Sequence, residues 1–98
     1  MRWLPIVLLI AASAPAARAA PPPDGPALAS GCSGCHAVSR SVETPVPRII
    51  GVEPARISAA MREFRAGDRP GTVMGRIAKG FTDAEIDAIA VWLGAQRD

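Results

Sequence analysis

The sequence predicts an all-α fold, three longer helices plus shorter turns in one small domain. Three observations lead there. Apolar residues recur at helical spacing twice, at Ile57, Ala60, Met61 and Phe64 and again at Ile86, Ile89, Ala90 and Leu93. Residues that start and stop helices bracket both stripes. No alternating run of β-branched residues and no internal repeat appears in the 98 residues.

The first nineteen residues differ from the rest. Arg2 gives a short positive start, Trp3 to Ala14 is an almost unbroken apolar run, and Ala17-Arg18-Ala19 has the small residues a signal peptidase reads. These features predict an export signal over residues 1–19, cut after Ala19, and hence a periplasmic protein. A spanning helix needs roughly 18 to 20 apolar residues. This run is shorter and is interrupted by Pro5 and Pro15, so no stable membrane insertion is expected after cleavage. Residues 20–25 (Ala-Pro-Pro-Pro-Asp-Gly) read as an extended tether, and residues 26–98 as the domain. Removing the signal takes away two of the eleven positive side chains, leaving nine against nine acidic ones. A neutral chain gives no reason to expect nucleic acid or an anionic membrane surface as a partner. With two Phe, no Tyr and only Trp92 beyond the signal, the domain is poor in core-filling side chains. Domains of this size commonly complete their interior with a disulfide, a metal or a cofactor.

Within the domain, Asp24 caps a first helix entered through Pro26 and carrying Ala27 to about Cys35, weakened by Gly31 and Gly34. Pro45 and Pro47 exclude a regular helix between Ala37 and Val52, which reads as a loop. Pro54 opens a second helix that Gly67 ends, with Arg56, Arg62, Glu63 and Arg65 off its apolar stripe, on what reads as a solvated face. Asp68 to Thr72 is a turn, Gly75 to Lys79 a brief helical segment stopped by Gly80. Thr82 and Glu85 form a capping box for the last helix, with Trp92 flanking its stripe.

Both remaining functional residue types lie in Cys32-Ser-Gly-Cys-His36, which holds both cysteines and the only histidine. Two cysteines three positions apart on one turn can each add across a haem vinyl group, while the adjacent imidazole reaches the iron. Haem attachment, one covalently held haem c, is therefore the expected chemistry. A thioredoxin-type redox motif requires a βαβ context that is missing here. A structural zinc site requires four ligands, and the chain has three Cys and His residues in all. A disulfide between Cys32 and Cys35 is a further alternative, closing a very small loop of little stabilising value.

An electron carrier's iron is usually six-coordinate, and with no second histidine the candidates for the other face are Met61 and Met74. Met61 lies on an apolar stripe, where a packing role is expected. Met74 lies in a Gly- and Pro-punctuated loop, residues 69–76, that can bring backbone close to a flat ring. Met74 is thus the candidate ligand, with plain space-filling as the alternative. A His–Met pair stabilises reduced iron and, by filling both axial positions, favours one-electron transfer over catalysis at the metal. The chain is expected to be an electron-transfer protein and not an enzyme on its own.

The motif Cys32–His36, the segment Pro45-Val-Pro-Arg-Ile-Ile-Gly51 and the run Gly67 to Ile86 together resemble class I cytochromes c. Within that class, the final segment is similar to the haem subunit of flavocytochrome c sulfide dehydrogenases. The resemblance implies a small monohaem class I cytochrome c fold, Met74 as distal ligand, and Pro45 as the proline that accompanies the proximal histidine. It also implies a larger FAD-containing flavoprotein partner that oxidises sulfide and passes electrons singly to the haem. Freely diffusing carriers that serve other redox proteins belong to the wider group and are the alternative. Ile49, Ile50, Val73, Ile77, Phe81, Ile86 and Ile89 are expected to line the ring, with Leu28 opposite Trp92 where the first and last helices meet. Six of the nine positive charges, Arg56, Arg62, Arg65, Arg69, Arg76 and Lys79, are expected around the methionine side, where they would orient an acidic partner. Arg48 is a candidate to neutralise a haem propionate.

Overall fold

The computed structural model describes residues 1, 5–6 and 9–97. Arg2, Trp3 and part of the apolar run, together with Asp98, lie outside the described residues. Described residues before Asp24 are exposed and carry no regular structure, and among the described residues no helix is long and apolar enough to cross a membrane. From Asp24 onward the chain is helical with no strand among the described residues: α1 (Gly25–Ala29), a 3-10 turn (Cys32–Gly34), α2 (Pro54–Ala66), α3 (Met74–Ala78) and α4 (Asp83–Ala95).

The first helix is shorter than its sequence suggests. Asp24 does cap it, accepting from the Ala27 amide at 3.3 Å, and Pro26 sits in its first turn. Ser30 then bonds back to the Ala27 carbonyl through its hydroxyl at 2.8 Å, competing with helix continuation. The chain tightens into the 3-10 turn, in which the His36 amide donates to the Cys32 carbonyl at 2.9 Å. Among the described residues the all-α architecture is as expected, with two thirteen-residue helices and the brief segment as α3; only the first of the three longer helices is reduced, to five residues and a 3-10 turn.

The other boundaries follow local chemistry. Pro54 starts α2, and Gly67 ends it in the left-handed region (φ 81°), where the Asp68 amide reaches back to the Glu63 carbonyl at 2.9 Å. The capping box of α4 is fully formed: the Thr82 amide donates to the Glu85 carboxylate at 3.0 Å and the Glu85 amide to the Thr82 hydroxyl at 3.2 Å.

α4 is the centre of the molecule, packed by α1 and by α2, while α3 packs on α2. Ile86, Ile89, Ala90 and Leu93 are buried along α4 and meet Ile57 and Met61 of α2, Ala29 of α1 and Ala78 of α3. Ile86 and Ile89 are thus interior to the helix cluster. The α1–α4 contact is made by Gly25: a Cβ there would stand 2.6 Å from the Ala88 carbonyl oxygen and 3.1 Å from Trp92 Cβ. Close backbone approach at a glycine, not a Leu28–Trp92 pairing alone, brings these helices together.

The face of α2 read as solvated is partly an inter-helix seam. Arg62 Nη2 pairs with Asp87 at 2.8 Å, and its Nε lies 3.4 Å from Asp83. Arg65 pairs with the same Asp83 and donates to the Phe81 carbonyl at 3.2 Å. Buried Ser58 donates to Asp87 at 3.0 Å. Arg69 pairs with Glu63 at 2.7 Å and lies over the Phe64 ring. Three of the six cations assigned to a docking surface are therefore engaged within the fold, because acids of α4 and α2 stand opposite them.

Candidate functional site

The segment that carries the chemistry is held at both ends. On one side, the 3-10 turn carries Cys32, half-buried, and Cys35, exposed, both as free thiols. On the other, the loop returns through Pro47, whose carbonyl oxygen lies 2.6 Å from His36 Nδ1. A ring nitrogen facing a carbonyl carries the proton, so in the neutral ring the Nε2 lone pair is left for a metal. The proline beside the histidine is thus Pro47. Pro45, assigned that part by resemblance, is exposed two residues earlier. The correction arises because the contact uses a backbone carbonyl, and the loop's path sets which carbonyl arrives.

Beside this turn is a cleft of about 120 Å³ lined by Cys32, His36, Val38, Ile49, Ile50 and Trp92, with Ala29, Ser30, Ser33 and Leu93 completing the wall. Its walls are mainly apolar. Burial pushes the Cys32 thiol up from its ordinary value. Among the described residues, no group of three or more His, Cys, Asp or Glu side chains converges as a metal cage.

Met74 begins α3, half-buried and packed against the core. Ile77, one turn further on, is exposed, as is Val73. None of these three lines the cleft beside His36, and neither does Cys35 or Pro45. Met61 is buried among Ile57, Ile86 and their neighbours. Ile49 and Ile50 do line the cleft, whereas Ile86 and Ile89 belong to the interior.

The chain matches known electron-transfer proteins. It is 40% identical to the cytochrome subunit of sulfide dehydrogenase of Chlorobaculum tepidum, over 86% of this chain and 80% of that protein. The chain belongs to the class I cytochromes c. It is also 31% identical to the thiosulfate dehydrogenase electron acceptor of Thiomonas intermedia, over 84% of this cytochrome, which spans only 46% of that longer relative. No protein-family model matches it.

Membership implies a haem, and the residues of this cytochrome fit one. The Cys32 thiol and the His36 imidazole border an apolar cleft, and the Cys35 thiol caps the same 3-10 turn. Val38, on the wall of that cleft, is an apolar side chain open to solvent at 53% exposure. The cytochrome is an electron-transfer protein and not a catalyst on its own. Two site features escaped the sequence reading. The Pro47 carbonyl has no side-chain signature, and Trp92, read as flanking the α4 stripe, forms part of the cleft wall.

Proposed function

We propose that Cys32 and Cys35 hold a single haem c through thioether bonds, with His36 and Met74 as axial ligands. In this reading the chain is exported to the periplasm and accepts electrons one at a time from an FAD-containing sulfide dehydrogenase subunit. The observation that carries it is the 2.6 Å contact between His36 Nδ1 and the Pro47 carbonyl, on a turn that also bears both thiols. That contact orients the imidazole and aims Nε2.

Met74 is favoured over Met61 by environment. Met61 is 9% exposed inside a cluster that needs it for packing, whereas Met74 opens a short helix after a loop containing Pro70 and Gly71. A bound haem supplies the one-electron redox couple. The chain supplies covalent anchoring, a fixed imidazole and the apolar walls of Ile49, Ile50, Leu93 and Trp92, which keep water away and favour the less charged reduced state. Sulfide oxidation releases electrons in pairs at a flavin, so a one-electron partner must take them in two steps.

Similarity to the cytochrome subunit of sulfide dehydrogenase supports a dehydrogenase subunit as partner, and its flavin is part of the proposal. The thiosulfate dehydrogenase electron acceptor supports a second reading, a freely diffusing carrier for other redox proteins. Coexpression with the flavoprotein subunit separates them. Equimolar copurification that survives high salt, with sulfide-driven haem reduction, is the expected result. A monomer at every salt concentration, reduced equally well by unrelated donors, would establish the carrier instead.

A further inference from the structure

The loop from Ala37 to Pro47 is exposed through most of its length, and its internal hydrogen bonds are local ones, Ser39 with Ser41 and Thr44 with Val46. Two longer contacts close it at its base. One is His36 Nδ1 to the Pro47 carbonyl; the other is Arg48 Nη2, which donates to the Val38 carbonyl at 3.4 Å. They are adjacent rungs, joining residues 36 and 38 to residues 47 and 48.

Arg48 is also tied to the rigid part of the fold. Its Nε is buried, and its side chain borders a second cleft of about 230 Å³ between the loop and the end of α4. Two residues on, Ile50 lines both clefts, and the Gly51 amide donates to the Leu93 carbonyl at 3.0 Å. A continuous path thus runs from α4 through Gly51 and Ile50 to Arg48, and from there to the carbonyl that faces His36.

We infer that Arg48 is a positioning residue for the proximal ligand: its guanidinium closes the loop on Val38 and thereby holds the Pro47 carbonyl against the His36 imidazole. This rests on His36 being the iron ligand. Closing an eleven-residue loop costs conformational entropy, and a rung at its base holds the two ends of the loop together against that cost. The outer partner of a ligating imidazole fixes the ring's orientation, so slackening it reaches the metal. A positive side chain in this loop also disfavours oxidised iron, which raises the reduction potential.

The test uses the full-length exported, haem-loaded protein with Arg48→Met and Arg48→Lys. Hydrogen exchange of the His36 Nδ1 proton is followed by NMR, with the reduction potential measured alongside. Arg48→Met should exchange about tenfold faster, the order expected when a charge-assisted hydrogen bond is removed, and have a lower potential. Arg48→Lys retains the charge but not the fork, so its potential should stay near wild type while its exchange is intermediate. Exchange at the wild-type rate in Arg48→Met overturns the inference, even if its potential falls, since Arg48 would then act only as a charge. Should Arg48→Met fail to fold, wild-type exchange in Arg48→Lys overturns it equally. Haem present with unaltered exchange defeats this inference alone, whereas protein secreted without haem defeats the underlying reading as well.

Discussion

At the residue scale the question is which atoms meet the iron. The two methionines separate by environment, one enclosed by Ile57 and Ile86, the other at the start of α3. Met74→Leu should remove or displace the sulfur-to-iron charge-transfer absorption of the oxidised protein, and Met61→Leu should leave it in place with a stability cost of less than about 1.5 kcal/mol, as for a volume-conserving swap. Absorption spectroscopy decides; loss of the band in Met61→Leu alone would reverse the assignment. The candidate residues at 32–36 stand out in the sequence because ligand chemistry is written in side-chain types. The Pro47 partner could not, because the group involved is a carbonyl that every residue possesses. Two prolines two positions apart offer the same signature to a reader of sequence, and only the loop's path distinguishes them.

At the scale of elements, start and stop signals were legible wherever they are local. Thr82 with Glu85, Pro54 and Gly67 bound their helices as expected, since each acts within four residues of itself. The early end of α1 and the α2–α4 seam were not legible: the first depends on a serine hydroxyl turning back, the second on residues some 20 positions apart meeting in space. Gly25 shows the same limit. In sequence it is the last residue of a tether; in the fold it is the point of closest approach to α4. Gly25→Val should destabilise the haem-loaded protein by roughly 1–3 kcal/mol, the cost of overpacking, measured by thermal denaturation. An unchanged midpoint would mean that α1 does not dock there.

The seam also carries a pH dependence. Arg65 first, then Arg62, hold the Asp83 carboxyl below the ordinary aspartate value. A depressed folded-state value contributes stability that is present above the unfolded value, near pH 4, and is lost as pH falls through the folded one. Asp83 is exposed, so the effect is small. Wild type should lose slightly more stability than Asp83→Asn between about pH 6 and about pH 2 in parallel thermal scans. Identical profiles would show that the pairs do not contribute.

At the scale of the molecule, composition already indicated an unfinished interior. The described core consists of eight apolar side chains, three of them alanines, and contains no fully buried aromatic ring. In the proposed reading an apolar macrocycle would supply what is missing and couple folding to cofactor attachment. A Cys32→Ala, Cys35→Ala double variant should therefore be largely unfolded by circular dichroism; a fully helical, cooperatively melting protein would contradict that coupling. The partner and the donor were not legible from packing at all, since they depend on surfaces outside this chain. The account as a whole is tested most directly by the intact mass of the natively exported protein. It predicts a chain beginning at Ala20 with the mass of one haem added through two thioether bonds, and the mass of the bare polypeptide would contradict it.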